Sequence, residues 1–402
     1  MNLFKKAYCR IYQTAFKLAI PILPYRNPHQ LNSIKELPSL LLEKGYKQIL
    51  VVTDKSVSSL DSFRILTEEL KRNGIKATVF DETVPNPTIH NAEKARQLYV
   101  DNNCQAIIGF GGGSPMDCAK IVGARIAKPK TPIRKMKGIL KIHKKTPFFV
   151  ASPTTAGTGS ETTVTAVISD SENNRKYTIS DFPLIPDVAV LDPETTKTLP
   201  KHLVATTGID ALVHAIEAYI GRSTVKATKA DALKATELIF SNLEKAYNHP
   251  EDETARRNML LASHMAGRAF SKSYVGYCHA VAHTLGGQYH IPHGLANAVL
   301  IPYVLESYGA SAHKKLKDLA IAAGIADSST APEDASKKFI DAIRQMNARM
   351  GIPTKLHGIK AEHIPTIAKY AEKEANPLYP VPKLFTAKEL EKFYYLVMEE
   401  DK

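Results

Sequence analysis

Two short stretches hold the residue types from which a metal site is built. In "ATTGIDALVHAIEAYI", Asp210 and His214 stand four apart. On a helix that spacing puts both on one face, a turn apart. In "YCHAVAHTLGGQYHIPHG", His279 and His283 repeat the spacing, and His293 follows on a Pro-His-Gly corner that can swing back toward them. Alone, Asp210 reads equally as an acid favouring a helix N-terminus and His214 as a satisfied core histidine. The second pair supplies the missing half. Asp210, His214 and two of the downstream histidines make a four-ligand N/O set with room for a substrate oxygen. Borderline ions such as Fe²⁺ or Zn²⁺ suit carboxylate and imidazole together. Spacing does not choose between His279 and His283, and it leaves His290 open.

A second chemistry is written in "GFGGGSPMDCAK". Gly111, Gly112 and Gly113 separate an apolar run from a helical one, with Ser114 placed to N-cap and Pro115 at the first helical position. Glycines there let backbone N–H groups approach a ligand, and a helix N-terminus favours phosphate or pyrophosphate. In "TPFFVASPTTAGTGSETT", Thr154, Thr155, Thr158 and Ser160 follow an apolar strand and offer a second wall of small hydroxyls. Asp54 ends "KQILVVTD", where a carboxylate can accept adenosine-ribose hydroxyls and repel a 2′-phosphate. Here the acid precedes the glycines, the reverse of the common dinucleotide fingerprint.

These residues need elements to hold them. "KQILVVTD", "IKATVF" and "CQAIIGF" read as strands, separated by helices over roughly 56–73 and within "PNPTIHNAEKARQLYVDNN". That alternation predicts a parallel sheet with crossover helices. After "LIPDVAVLDPETTKTLP" helical periodicity takes over. The expected division is an α/β domain over 1–195, with an extension over 1–25, and a helical domain over 196–402. The 402 residues suffice for two cores. The first 24 residues lack the uninterrupted apolar core of a signal peptide and read as an amphipathic surface helix packed on the body.

The net charge of +13 brings a nucleic-acid partner into consideration. Much of it lies in one stretch: no acid occurs from Cys118 through Ser160, while Lys128, Lys130, Arg134, Lys135, Lys137, Lys141, Lys144 and Lys145 crowd together. That stretch has no aromatics interleaved for base stacking, and reads as a solvated basic loop. Cys9, Cys104, Cys118 and Cys278 form no CxxC pair, which suits a reducing cytoplasm.

Together, "VVTDK", "VPNPT", "GFGGGSPMDCAK", "SPTTAGTGSE", "TGIDALVHAIEAY" and "CHAVAHTLGGQYHIPHGLANAVLIP" resemble the iron-containing (group III) alcohol dehydrogenase family, in the family's order. The resemblance implies a Rossmann-like, dinucleotide-binding α/β domain and an all-α metal-binding catalytic domain, the dehydroquinate synthase-like fold, with the active site in the cleft between them. It implies Asp210, His214, His279 and His293 as ligands of Fe²⁺, with Zn²⁺ the alternative, and His283 as the residue that moves the alcohol proton. Gly112, Gly113, Ser114 and Asp117 match the pyrophosphate turn. Asp54 matches the ribose acid, favouring NAD over NADP. Asn86, Thr154, Thr158, Thr163 and Lys176 match further cofactor contacts, and Phe270 a substrate-pocket wall. The implied activity is NAD(H)-linked interconversion of a small primary alcohol or diol and its aldehyde, by a cytoplasmic homodimer with no nucleic-acid or membrane partner. The alternatives are a glycerol dehydrogenase-like polyol oxidoreductase on the same fold, which usually uses fewer protein ligands, and a basic nucleic-acid-binding protein with a structural metal.

Overall fold

The structure, a computed structural model, describes residues 1–173 and 175–399. They divide into two units, Pro24–Leu199 and Met1–Leu23 together with Pro200–Lys402.

The strands are β1 (His29–Leu31), β2 (Gln48–Val52), β3 (Lys76–Phe80), β4 (Ala106–Gly111), β5 (Gly138–Ile139), β6 (Phe148–Pro153), β7 (Thr165–Asp170), β8 (Arg175–Ser180) and β9 (Val188–Val190). The apolar runs of β2, β4 and β6 are buried almost throughout, as in a parallel sheet covered on both faces. The order is β1-β9-β6-β4-β2-β3, every pair parallel. Side chains alternate between two cores. Leu50, Val52, Ile107 and Phe149 face one, and Ile49, Val51, Ile108 and Val150 the other.

The first helices are α1 (Leu3–Ala19), α2 (Leu37–Glu43), α3 (Lys55–Ser58), α4 (Asp61–Arg72), α5 (Ile89–Asp101) and α6 (Gly113–Ala127). The single helix expected over 56–73 is two, α3 and α4, broken at Leu60, whose backbone is extended (φ −79°, ψ 150°). The Ser58 and Ser59 hydroxyls donate back to the carbonyls of Lys55 (3.1 Å) and Ser56 (2.7 Å), competing with helix continuation.

One sheet order explains the reversed fingerprint. Strands β2, β4 and β6 are neighbours, and Asp54, the glycine turn and Thr154 follow their carboxyl ends. Gly111 pairs directly with Pro153. The acid therefore lies beside the glycines in space while preceding them in sequence. A second sheet, β5-β8-β7, was not legible in the pattern. Part of the basic stretch is spent on it: Arg134 pairs with Asp170 and Glu172, and Lys137 sits over the Tyr177 ring.

The other unit is built from α7 (Lys201–Ile220), α8 (Lys226–Asn248), α9 (Glu253–Ser273), α10 (Tyr277–Tyr289), α11 (His293–Tyr308), α12 (His313–Ala322), α13 (Pro332–Arg349), α14 (Ile364–Ala375) and α15 (Ala387–Val397). Among the described residues α7 alone is long and apolar enough to cross a bilayer, but 78% of that window is buried inside the protein. The N-terminal extension, grouped by sequence with the α/β domain, belongs with these helices instead. Arg10 donates to the carbonyls of Val381 and Pro382, and Gln13 to that of Tyr379. Helical periodicity reveals an inner face but not the surface it packs on.

Candidate metal and cofactor sites

Helix α7 carries Asp210, His214 and Glu217 at i, i+4 and i+7, on a stretch that is buried from Gly208 onward and otherwise apolar there. Helix α10 brings His279 and His283. It stops at His290, whose left-handed backbone (φ 57°, ψ 23°) reverses the chain, and Pro292 precedes the first residue of α11, His293. Helix α11 packs on both α7 and α10.

The turn returns His293 to the others. Asp210, His214, His279 and His293 each offer a ligand atom, all within 4.8 Å of one another. Asp210 Oδ1 is 3.5 Å from His293 Nε2 and 3.8 Å from His279 Nε2. Donors around a tetrahedral ion with bonds of about 2.1 Å stand about 3.4 Å apart. His279 Nε2 is buried without a hydrogen-bond partner among the described residues, an orphaned lone pair that a cation would satisfy. The residues therefore fit a divalent ion.

Three neighbours set this geometry. Glu217 Oε2 accepts from His279 Nδ1 (2.6 Å), which leaves Nε2 as the lone-pair nitrogen. The same carboxylate accepts the backbone N–H groups of Gly276 (2.7 Å) and Cys278 (2.8 Å). Asn297 Nδ2 donates to Asp210 Oδ1 (2.7 Å). Burial pushes the carboxyls of Asp210 and Glu217 up to about 7, and holds the His279 imidazole well below its usual range.

His283 faces the group from one turn along α10, its ring stacked on His293 (centroids 5.1 Å apart). Its Nδ1 lies 2.6 Å from Glu374 Oε1, which also accepts from the Tyr379 hydroxyl (2.7 Å). Phe270 stacks face-on against His214, with centroids 4.1 Å apart.

In the α/β unit, α6 begins at Gly113 with Gly112 as its N-cap, not with Ser114 as expected. The Gly112 backbone is already extended, so the helix starts two residues early. Ser114 Oγ instead accepts from Asn86 N (3.2 Å). A Cβ on Gly113 would stand 3.1 Å from Thr158 Cγ2, and one on Gly112 3.6 Å from Thr155, so glycine keeps this space clear. Thr155 Oγ1 is buried with no hydrogen-bond partner among the described residues. The cradle and the unpaired hydroxyl fit a dinucleotide's pyrophosphate. Thr154 N donates to Gly111 O (3.0 Å), tying the two walls together. Asp54 N-caps α3 through Oδ1, accepting from Ser56 and Val57 N–H (both 2.9 Å). Lys176 Nζ donates to Asn86 Oδ1 (2.5 Å).

Asp117 and Thr163 lie inside this architecture. Asp117 is buried and accepts from Ser160 Oγ (2.8 Å) and Val167 N (2.9 Å). Thr163 Oγ1 accepts from Lys120 Nζ (2.7 Å). Both side chains hold the threonine loop in shape.

The sequence model of the iron-containing alcohol dehydrogenases matches residues 26–193, and that of the family's C-terminal part matches residues 204–397. The chain belongs to this family. It is 36% identical to alcohol dehydrogenase 4 of Saccharomyces cerevisiae over 347 residues, 85% of this chain and 89% of that protein. The solved structure of a 1,3-propanediol oxidoreductase superimposes with a TM-score of 0.89 at 33% identity, covering 93% of this chain and 99% of that one. The sulfoacetaldehyde reductase of Bifidobacterium kashiwanohense, solved with NAD⁺, superimposes with a TM-score of 0.83 at 27% identity, covering 94% and 99%.

In this iron-containing alcohol dehydrogenase family member, the sequence reading passed over Glu217, Asn297, Glu374 and Lys120. Glu217 had a signal: it continues the polar face begun by Asp210 and His214. Glu374 had none, because its partner is 91 residues away. Lys120 is fully buried, and its ammonium donates to Ser160 Oγ, Thr163 O and Oγ1, and Thr165 O. Burial pushes it down to about 8. Lys120→Met should leave these acceptors unmet and destabilise the α/β unit by about 3 kcal/mol or more. A lower melting temperature with a raised KM for the dinucleotide checks this. An unchanged melt would remove Lys120 from the loop's support.

Proposed function

We propose that this chain interconverts a small primary alcohol or diol and its aldehyde, with NAD(H) as hydride carrier. The ion is held by Asp210, His214, His279 and His293. The observation that carries the reading is this four-donor group, with the buried, unpartnered Nε2 of His279 turned to it. Family membership supports iron as the ion, with zinc the alternative, and alcohol, diol and aldehyde are the substrate classes named for its relatives.

Glycines 112 and 113 and the first turn of α6 would hold the pyrophosphate, with Ser114 and the hydroxyls of Thr154, Thr155 and Thr158 alongside. Asp54 would take the ribose, favouring NAD over NADP, and Asn86 and Lys176 would flank the cofactor. Asp117 and Thr163 would act by shaping the loop. Phe270, stacked on His214, would wall the substrate pocket. When bound, the ion supplies Lewis acidity that makes an alcohol hydroxyl easier to deprotonate, and the nicotinamide takes the hydride. The alcohol loses one hydride to NAD⁺ and one proton overall.

His283 is the proton acceptor in this scheme. Glu374 accepts its Nδ1–H and so leaves Nε2 basic, and Tyr379 fixes Glu374 in turn. Both His283 and Glu374 are partly exposed, so the proton has a route to water. His283→Ala should retain the ion while slowing turnover about 100-fold and altering its pH profile. The finer expectations of a cytoplasmic homodimer without a nucleic-acid partner belong to the same reading.

The test is anaerobic metal analysis of the purified protein, coupled to a panel of primary alcohols, diols and aldehydes with NAD(H) and NADP(H). Bound metal with NADH-linked turnover supports the proposal. Salt-sensitive RNA binding with no response to NADH would replace it with the nucleic-acid reading.

A further inference from the structure

The segment "NPLYPVP", residues 376–382, is rich in acceptors. Pro377, Pro380 and Pro382 carry no N–H, which leaves four donors for seven carbonyls. Helix α1 supplies most of the missing donors. Gln13 Nε2 donates to Tyr379 O (2.8 Å) and Pro377 O (3.3 Å), and Arg10 to Val381 O (2.7 Å) and Pro382 O (2.9 Å). Arg10 Nη1 also donates to Gln13 Oε1 (2.8 Å), which turns the NH₂ of that buried amide toward the segment. Two side chains of α1 thus bond four of the seven carbonyls.

Tyr379 is the side chain that this seat holds. Its ring lies against Tyr274 (centroids 6.2 Å apart), which packs on Phe16 of α1 (4.8 Å). Tyr274 follows α9 with a φ of 61°, a left-handed backbone that a tyrosine keeps only where its surroundings hold it. Helix α1 therefore reaches Tyr379 twice, at its carbonyl through Gln13 and at its ring through Tyr274. The Tyr379 hydroxyl donates to Glu374 Oε1 (2.7 Å), the oxygen that also takes His283 Nδ1 (2.6 Å). Glu374 is partly exposed, so without that hydroxyl its carboxylate is free to turn to water.

We infer that, with His283 as the proton acceptor of the reading above, α1 is a positioning brace for it. Arg10 and Gln13 seat Tyr379, and Tyr379 holds Glu374 on the Nδ1–H of His283. None of the three touches the four-donor group, and all belong to the helical unit. Their loss therefore acts on the orientation of His283, and leaves the ion and the dinucleotide where they were.

The test uses the full, metal-loaded chain with Arg10→Ala and Gln13→Ala combined. This variant should keep its metal and its KM for NAD⁺ while kcat falls about tenfold. Tyr379→Phe should do the same. All three substitutions together should slow turnover no further than the slower of these two, whereas independent effects would multiply to about 100-fold. A second readout needs no turnover. In zinc-loaded, ¹⁵N-histidine-labelled protein at alkaline pH, with His283 assigned by its absence from His283→Ala, the parent should hold the Nδ1–H tautomer. Both variants should gain the Nε2–H form. Multiplying effects overturn the brace, as does a parent-like tautomer in the Arg10/Gln13 variant. Metal loss or a raised KM for NAD⁺ beside the fall in kcat also overturns it, because α1 would then only stabilise the fold. Should the double variant fail to fold, Arg10→Ala alone keeps Gln13 and Phe16 seated and enters the same cycle, with kcat lowered about threefold. A parent without alcohol turnover would end the dehydrogenase reading, and the tautomer alone would then decide the brace.

Discussion

His293→Ala is expected to yield a folded protein that loses its metal on dialysis and turns over alcohols at least about 1000-fold more slowly. His279→Ala should do the same. The two differ in what else they disturb. His293 is partly exposed at the first position of α11, so its removal opens little space. His279 is buried and bonded to Glu217, so its loss adds a cavity and leaves that carboxylate with its two backbone donors. Metal per chain after dialysis, read beside the melting curve, separates the two contributions. His283→Ala is the internal reference, because His283 offers no atom to the four-donor group. Equal metal loss in all three would end the division between ligands and proton acceptor.

That division shows what local spacing contains. Asp210 with His214, and His279 with His283, were legible as pairs because four residues make one helical turn. Which histidine of the second pair joins the four-donor group was not, because it depends on how α10 rotates against α7. Glu217 decides that rotation by holding His279 Nδ1. His290 is a similar case. Its role is a left-handed backbone that ends α10, which no count of histidines reveals. In the α/β unit, apolar runs marked the central strands, but their order came from pairing. The order β6-β4-β2 is what sets Asp54 beside the glycines. Ser114 was misplaced because Gly112 can cap without a side chain.

The metal site should depend strongly on a residue that offers the ion no atom. Glu217→Gln is expected to weaken metal binding about 10–100-fold. The carboxylate has two oxygens and three donors: His279 Nδ1–H and Gly276 N–H on Oε2, and Cys278 N–H on Oε1. A glutamine keeps one acceptor and turns an NH₂ toward the other set. If that set includes His279, the ring must flip or change tautomer, and Nε2 ceases to be the lone-pair nitrogen. Gly276→Ala tests the same contact from the other side, since its Cβ would stand 2.6 Å from Glu217 Oε1. Because Glu217 also caps α10, both variants should lower the melting temperature, and a melt alone cannot distinguish the roles. The discriminating measurement is Co²⁺ or Zn²⁺ affinity by chelator competition at a temperature where both variants are folded. A reduced affinity assigns Glu217 to the orientation of His279. An unchanged affinity beside a lowered melting temperature would leave it only the capping of α10.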